Sequence, residues 1–498
     1  MKFNLNLLRL LSRMLPFGMI ADKIDKPTAI APPVGKCPLP LPIVPLGPYN
    51  LSSAPWTAIL QQLNLHLQKA EMPTSHSVIA LHGNQILFTS GDLNAHFRLG
   101  SITKIFTGMG ALILREQGTL SLDDAVIKYL PEFSIQNPYA ENYYNNDITL
   151  RQLMAHTSGL PREACPLIFC GNDEAEVLKG ISEMKLVVPP WSSVPAYSNL
   201  GYALLGHAWE KLTGTSWSEW LGKEVLIPLG MERSGMDIEA VKDLAPTSPD
   251  GELIKGLSLQ WVAPAGDMYS TAIDLSKFLS LILNGTPSGL PILQEATIAE
   301  WTRPVTLLPD SRTGFALGWE LIGIPNTPYM LITKSGLWGH KSHIAFHPPT
   351  NIGVILLAGD TAIDLISLGS NFFSTLIPIV ENIHTTAVRN LYAGTYVCPS
   401  VGSITVDAIP GSGLFFAQDR GTVTAYANLL PKNTTENSFW VSFVTAADCL
   451  AVAWQISSFP HSDGEPDGLE VFFEFQKAGS PTLFHWPSNN LTCIKDKS

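Results

Sequence analysis

Apolar positions at Ala58, Leu60, Leu63 and Leu67 recur with helical spacing just after Trp56, which predicts a helix near the start of the folded chain. Ser77 to His82 and Gln85 to Thr89 then read as two strands joined at the turn Gly83-Asn84. After Leu99-Gly100-Ser101, the positions Ile105, Phe106, Met109, Leu112 and Ile113 fall three and four apart and predict a buried helix that starts at the serine. Thr149 with Gln152 resembles a capping box for a short helix running to His156, stopped by Thr157-Ser158-Gly159. A further helix is expected from Asp274 to Leu283, opened by Ser270-Thr271 and closed by Asn284-Gly285. Residues 344–357 read as two buried strands around a turn, followed by a helix from about Ile363 to Val380.

Beyond about Asn390 the texture changes. Short alternating runs at Gly394 to Val397, Ser403 to Val406, Gly413 to Phe416 and Leu469 to Phe475 predict a separate antiparallel sheet or small barrel. Pro32 to Pro48 is proline-rich and reads as an extended leader, because proline has no amide to donate. The expected division is a leader over 1–50, a catalytic domain over 51–385 and a C-terminal antiparallel β domain over 390–498.

A chain of 498 residues exceeds one compact core, in keeping with that division, and 45% apolar against 15% charged residues describes a packed globular protein. The formal net charge of −12 speaks against a nucleic-acid partner, which needs clustered Lys and Arg. No stretch beyond the N-terminus has the roughly 18 apolar residues of a membrane span, so none is expected in the mature chain. Lys2 and the leucine-rich run after it suggest a secretory signal. Arg9 and Arg13 interrupt the run and Met19 spoils the cleavage context before Ala21, so an amphipathic leader remains the alternative.

Four glycosylation tripeptides begin at Asn50, Asn284, Asn433 and Asn490. Six cysteines, Cys37, Cys165, Cys170, Cys398, Cys449 and Cys493, lack zinc-site spacing and suit disulfides, Cys165 to Cys170 being the favoured pair among fifteen connectivities. A secreted, glycosylated protein is expected on this basis; buried thiols in a cytoplasmic protein are the alternative.

Three short motifs carry the candidate chemistry. In Ser101-Ile102-Thr103-Lys104, the i to i+3 spacing sets a hydroxyl and an amine one turn apart on one face. In an apolar cleft near another cation the neutral amine is favoured and can accept the serine proton, while the helix N-terminus supplies amides for an oxyanion. A second copy, Ser182-Glu183-Met184-Lys185, sits among Glu174, Glu176 and Lys179 and reads as a solvated helix face. Tyr197-Ser198-Asn199 precedes an apolar helix, so the tyrosine and asparagine can project from a loop. Lys334-Ser335-Gly336 follows the strand-like Tyr329 to Thr333 and is read as lying on an edge strand, the glycine leaving room for a substrate backbone.

In that order, the three motifs resemble those of the serine β-lactamase and DD-peptidase family, the class C β-lactamases and related esterases in particular. Phe97 to Ser101, Leu122-Asp123-Asp124 with Tyr129-Leu130-Pro131, Leu153 to Leu160, Ala265 to Thr271 and Leu317-Gly318-Trp319 look like further stretches of that group, so the resemblance covers about Trp56 to Asp360. It implies an α/β (α+β) fold, an antiparallel sheet covered by helices with an all-helical subdomain opposite and the nucleophile between them. The C-terminal sheet resembles the lipocalin-like additions of some members, which can restrict the acyl donors admitted.

For the site, the resemblance implies that Ser101 attacks a carbonyl, that Lys104 and Tyr197 share the proton transfers, and that Lys334 lowers the Tyr197 pKa and attracts a carboxylate. Asn199 is expected to hold the substrate, beside Ser335 and Gly336, with the amides of Ser101 and Leu337 as the oxyanion hole. No metal and no organic cofactor is required. Ser335 replaces the usual threonine and Leu337-Trp338 makes a bulkier wall, which puts lactam hydrolysis in doubt.

The expected activity is a serine hydrolase acting on an ester, amide or lactam of a small molecule or short peptide. An acyltransferase using the same residues is a close rival. A non-catalytic binder of the same fold is the third reading, against which the presence of both Lys104 and Tyr197 counts. Oligomeric state is left open.

Overall fold

The structure, a computed structural model, describes residues 48–496 except 140–146, 166–167, 169, 191, 193, 242, 285–291, 326, 400–401, 411–412, 420–423, 432–436, 443–469, 476–480 and 488–490. The candidate signal sequence, Cys37, Cys449, Asn433 and Asn490 fall outside the described residues. The chain separates into two compact units, one spanning Ile43–Val388 and the other containing Arg389–Ser498.

The strands of the first unit are β1 (His76–His82), β2 (Gln85–Gly91), β3 (Phe97–Arg98), β4 (Tyr269–Ser270), β5 (Thr306–Leu307), β6 (Thr313–Phe315), β7 (Glu320–Gly323), β8 (Met330–Trp338), β9 (His340–His347) and β10 (Ile352–Ala358). Eight of them form one antiparallel sheet in the order β2-β1-β10-β9-β8-β7-β6-β5, and β3 pairs separately with β4. The period of two along each strand splits the core. Ile79, Leu81, Ile355 and Leu357 join the core that surrounds the Thr103–Glu116 helix. Their neighbours Val78, Ala80, Val354 and Leu356 pack with Trp56 and Leu63 of the Ala54–Lys69 helix and Phe372 of the Leu365–Tyr392 helix. Every residue of β10 is buried, which is why its sequence is apolar without alternation.

The expected hairpin, the helix near Asp274 (Ala272–Asn284) and the two strands around Pro348–Thr350 are all present. Other expectations need correction. Ser101 does not open the α-helix: Gly100–Ile102 is a 3₁₀ turn and the helix begins at Thr103. The Thr149-Gln152 capping box forms, but its helix ends at Met154, and His156 takes a left-handed conformation at φ +59°. The helix expected from about Ile363 to Val380 runs instead from Leu365 to Tyr392. Lys185 of the second Ser-x-x-Lys is exposed beyond the end of the Glu174–Ser182 helix.

The second unit is a closed antiparallel barrel of β11 (Gly394–Cys398), β12 (Gly402–Ile409), β13 (Gly413–Asp419), β14 (Thr424–Pro431), β15 (Ser438–Ser442), β16 (Glu470–Glu474), β17 (Leu483–Trp486) and β18 (Leu491–Lys495). Each strand pairs with the next, and β11 closes on β18. Closure removes the edges that a small sheet would otherwise expose. Tyr396, Phe416, Phe439, Phe473 and Phe484 fill the interior, and a Cys398–Cys493 disulfide ties the first strand to the last. Among the described residues, no helix is long and apolar enough to cross a membrane.

Candidate active site

The Ser101 turn is fixed by two backbone approaches that only glycine permits. Gly100 sits at φ +50°, and a Cβ there would lie 2.5 Å from the Leu337 amide nitrogen. A Cβ on Gly336 would lie 1.9 Å from the Leu99 carbonyl oxygen and 2.8 Å from the Ser101 nitrogen. The two bare backbones therefore close on each other, bringing the Ser101 and Leu337 amides to one place. Leu99 donates its amide to Met268 O at 2.8 Å and accepts from Ser342 Oγ at 2.7 Å. Buried Arg98 binds Asp267 at 2.7 Å, which ties the stretch before the serine to the Ala265 to Thr271 stretch.

Lys104 is fully buried. Its Nζ donates to Ser101 Oγ at 3.0 Å and to Ala265 O at 2.7 Å. Burial is the main reason its pKa falls to about 8; the Tyr197 charge opposes that fall and the Lys334 charge adds to it. Tyr197 arrives on a loop anchored at both ends: Ala196 N donates to His156 O at 2.9 Å, and Asn199 N donates to Arg162 O at 2.7 Å. Ser198 caps the Asn199–Thr213 helix through Gly201 N at 2.9 Å.

Three cations surround the Tyr197 ring, Lys104 Nζ at 5.2 Å, Lys334 Nζ at 4.8 Å and the Arg162 guanidinium at 5.0 Å from its centre. Burial alone would raise the phenol, but the charges of Lys104 and Lys334 outweigh it and hold Tyr197 below its ordinary value. Lys334, 1% exposed, donates to the Tyr197 hydroxyl at 3.4 Å and is ion-paired with Glu320. Burial works against its charge, yet Glu320 and Tyr197 keep its pKa above the usual lysine range.

The strand that carries Lys334 is not an edge strand in the sheet order. Pairing of β7 with β8 nevertheless stops at Glu320–Thr333, while β9 pairs on to Trp338. Among the described residues, Lys334 to Leu337 therefore has no partner strand on its β7 side, a local edge on which a substrate backbone can lie.

Ser101, Tyr197, Asn199, Ser335, Gly336 and Leu337 all line one cleft of about 570 Å³, and Lys104 and Lys334 are buried behind that lining, in contact with Ser101 and Tyr197. Ser335 Oγ bonds His343 Nδ1 at 2.9 Å. Asn199 is placed differently from expectation: its Nδ2 donates to both oxygens of Glu163, at 2.7 and 2.9 Å, so its donor is already engaged.

Four participants were missed in the sequence. Glu320 immediately follows the Leu317-Gly318-Trp319 stretch, and the signal was a carboxylate one strand away from a motif lysine. His156 lies within Leu153 to Leu160 and stacks on Tyr197 with ring centres 4.3 Å apart. Its Nδ1 accepts from Ser198 N at 3.1 Å, and burial, then the charges of Lys334, Lys104 and Arg162, push its pKa far below normal, so the ring is neutral. Arg162 and Glu163, an ion pair at 3.1 Å on the cleft wall, had no signal that separates them from surface charges. Cys165–Cys170 is a disulfide as favoured from the sequence, and it closes the loop that brings Ile168 into the cleft.

A serine hydroxyl on a glycine-rich turn, a buried lysine one turn on, and a tyrosine between two lysines are thus brought together at one cleft. The family model described as Beta-lactamase matches residues 73–362, more than half of the chain, which therefore belongs to the Beta-lactamase family. It is 34% identical over 306 residues to Beta-lactamase-like protein 2 of Dictyostelium discoideum, covering 57% of this chain and 53% of that one. The chain spans about half the length of the leading curated relatives it matches.

Two solved structures share the fold. The octameric penicillin-binding protein homologue from Pyrococcus abyssi matches with a TM-score of 0.54 at 19% identity over 88% of this chain and 99% of that one. The beta-lactamase/D-alanine carboxypeptidase from Yersinia pestis matches with a TM-score of 0.53 at 22% identity over 65% and 99%. Membership of this family supports a serine hydrolase kind of function.

Proposed function

We propose that this chain hydrolyses an ester or amide of a small molecule or short peptide through an acyl-serine intermediate, with Ser101 as nucleophile. The observation that carries the reading is the 3.0 Å contact of Lys104 Nζ with Ser101 Oγ beside a phenol held below its usual pKa by two ammonium groups. Lys104 and Tyr197 act as one proton-holding pair. As Ser101 Oγ bonds to the substrate carbonyl carbon, its proton passes to that pair. The carbonyl oxygen takes the negative charge within reach of the Ser101 and Leu337 amides. Collapse breaks the bond to the leaving group, which departs with the proton. Water then attacks the acyl carbon and gives a proton to the same pair; the bond to Ser101 Oγ breaks, the pair returns the proton to that oxygen, and the acid leaves.

Lys334 and Glu320 act on the charge of Tyr197 and need not touch the reacting atoms. Ester or amide substrates are favoured over lactams because bulky Leu337 and Trp338 stand in the cleft wall and the Asn199 amide donor is engaged by Glu163. Two disulfides, Cys165–Cys170 and Cys398–Cys493, support the further proposal that the protein works in an oxidising compartment.

Intact-mass measurement after exposure to a fluorophosphonate tests the nucleophile. One adduct is expected on the natural chain and none on Ser101→Ala; an adduct that persists in the variant overturns the assignment. A panel of p-nitrophenyl esters, D-amino acid amides and a chromogenic cephalosporin then separates the carbonyl classes, and product analysis with an added alcohol or amine separates hydrolysis from acyl transfer.

A further inference from the structure

The cleft contains more charge than the chemistry of Ser101 requires, and Lys341 on its wall is a cation outside both the ion pairs and the Ser101–Lys104 contact. Arg162 is bound to Glu163 at 3.1 Å. Lys334 is buried, paired with Glu320 and in contact with Tyr197, so its charge is already committed on two sides. Lys341 differs from both. It lines the same cleft, is half-buried, and among the described residues its ammonium has no hydrogen bond or ion pair. It stands directly opposite Leu337 in the β8–β9 ladder, and directly paired residues of an antiparallel ladder project to the same face. Leu337 is the residue whose amide faces the Ser101 turn, so Lys341 lies one strand spacing, about 5 Å, from Leu337 on the β9 side of β8, beside the wall that Leu337 gives the cleft. Asp364 is within electrostatic reach of Lys341, but its carboxylate is engaged by the Ser367 amide at 3.1 Å.

We propose that Lys341 is a specificity-determining residue that holds a carboxylate of the substrate, so that the preferred ester or amide is anionic. The inference rests on the reading of the cleft as that of a hydrolase, and it assigns carboxylate recognition to β9 instead of to Lys334. The physical reason is desolvation. A ligand carboxylate at Lys334 would have to compete with Glu320 inside the protein, whereas at Lys341 it meets an unpaired ammonium still in contact with solvent.

Two matched ester pairs test this. In one the carboxylate is on the acyl chain, 4-nitrophenyl hemiglutarate against its methyl ester. In the other it is on the leaving group, 3-carboxyphenyl acetate against phenyl acetate. In at least one pair the natural chain should favour the anion. The anionic-to-neutral ratio of kcat/KM should then fall about fivefold in Lys341→Gln, return in Lys341→Arg, and shrink with added salt, as expected for a partly exposed ion pair. Ratios that do not move in Lys341→Gln for either pair overturn the proposal.

The Ser101→Ala chain separates this from the hydrolase reading. Titrated with the same esters, it should bind the anion more tightly than the neutral partner, and Lys341→Gln added to it should erase the difference. If that preference holds while the natural chain hydrolyses no ester, only the hydrolase reading fails. Equal binding of anion and neutral partner overturns the role of Lys341 whatever the turnover.

Discussion

Replacing Lys334 with methionine removes one of the two ammonium groups that hold the Tyr197 phenol below its ordinary pKa and leaves Glu320 facing it. The Lys334 Nζ to Tyr197 hydroxyl distance is 3.4 Å, with Lys334 buried and Tyr197 half-buried. At an effective permittivity of about 20, unit charges at that distance attract by roughly 5 kcal/mol. Glu320 offsets part of that attraction in the natural protein, so a loss of about 3 kcal/mol of transition-state stabilisation, or roughly 100-fold in kcat/KM, is the expected scale.

The direction with pH follows from the same charges. A neighbouring cation favours the deprotonated forms of Tyr197 and of Lys104, whose pKa lies at about 8. The pair must lack one proton to accept that of the serine, so removing Lys334, which raises both groups, moves the acid limb of the kcat/KM profile to higher pH. Rates on a neutral p-nitrophenyl ester from about pH 6 to 10 measure this. Lys334→Met with Glu320→Gln should recover part of the loss, because the stranded carboxylate is gone. A profile in which the acid limb stays in place and kcat/KM changes by less than about threefold refutes the electrostatic account of Tyr197.

Other outcomes follow from single contacts. Gly336→Ala places a methyl group against the Leu99 carbonyl and the Ser101 amide; a loss of roughly 1–3 kcal/mol in urea unfolding and of at least about 100-fold in kcat is expected, and an active, stable variant would show that the backbones have room. Arg98→Met strands buried Asp267 and should cost about 3–5 kcal/mol in the same unfolding assay. Cys398→Ser with Cys493→Ser opens a loop of 95 residues, for which chain entropy gives roughly 4–5 kcal/mol, and should loosen the barrel in limited proteolysis while Ser101 still takes the fluorophosphonate.

Elements whose burial pattern is local were legible in the residues alone. The apolar runs of β1 and β10 and the capping box at Thr149 each state their geometry within a few residues, because burial pattern and cap hydrogen bonds are short-range. The three motifs also identified Ser101, Lys104, Tyr197 and Lys334 as candidates before any contact was known. Short-range signals failed where the chain is held by distant neighbours. Ser101 lies on a 3₁₀ turn because Gly100 and Gly336 press two backbones together across 236 positions of sequence, and no local propensity encodes that approach. Lys334 lies on an open ladder edge because β7 ends early, which depends on register between strands and not on the lysine's own segment. Glu320, Glu163 and Arg162 look like any surface charges in the linear order; they become partners of Lys334, Asn199 and Tyr197 only when folding brings segments distant in the chain together at the cleft.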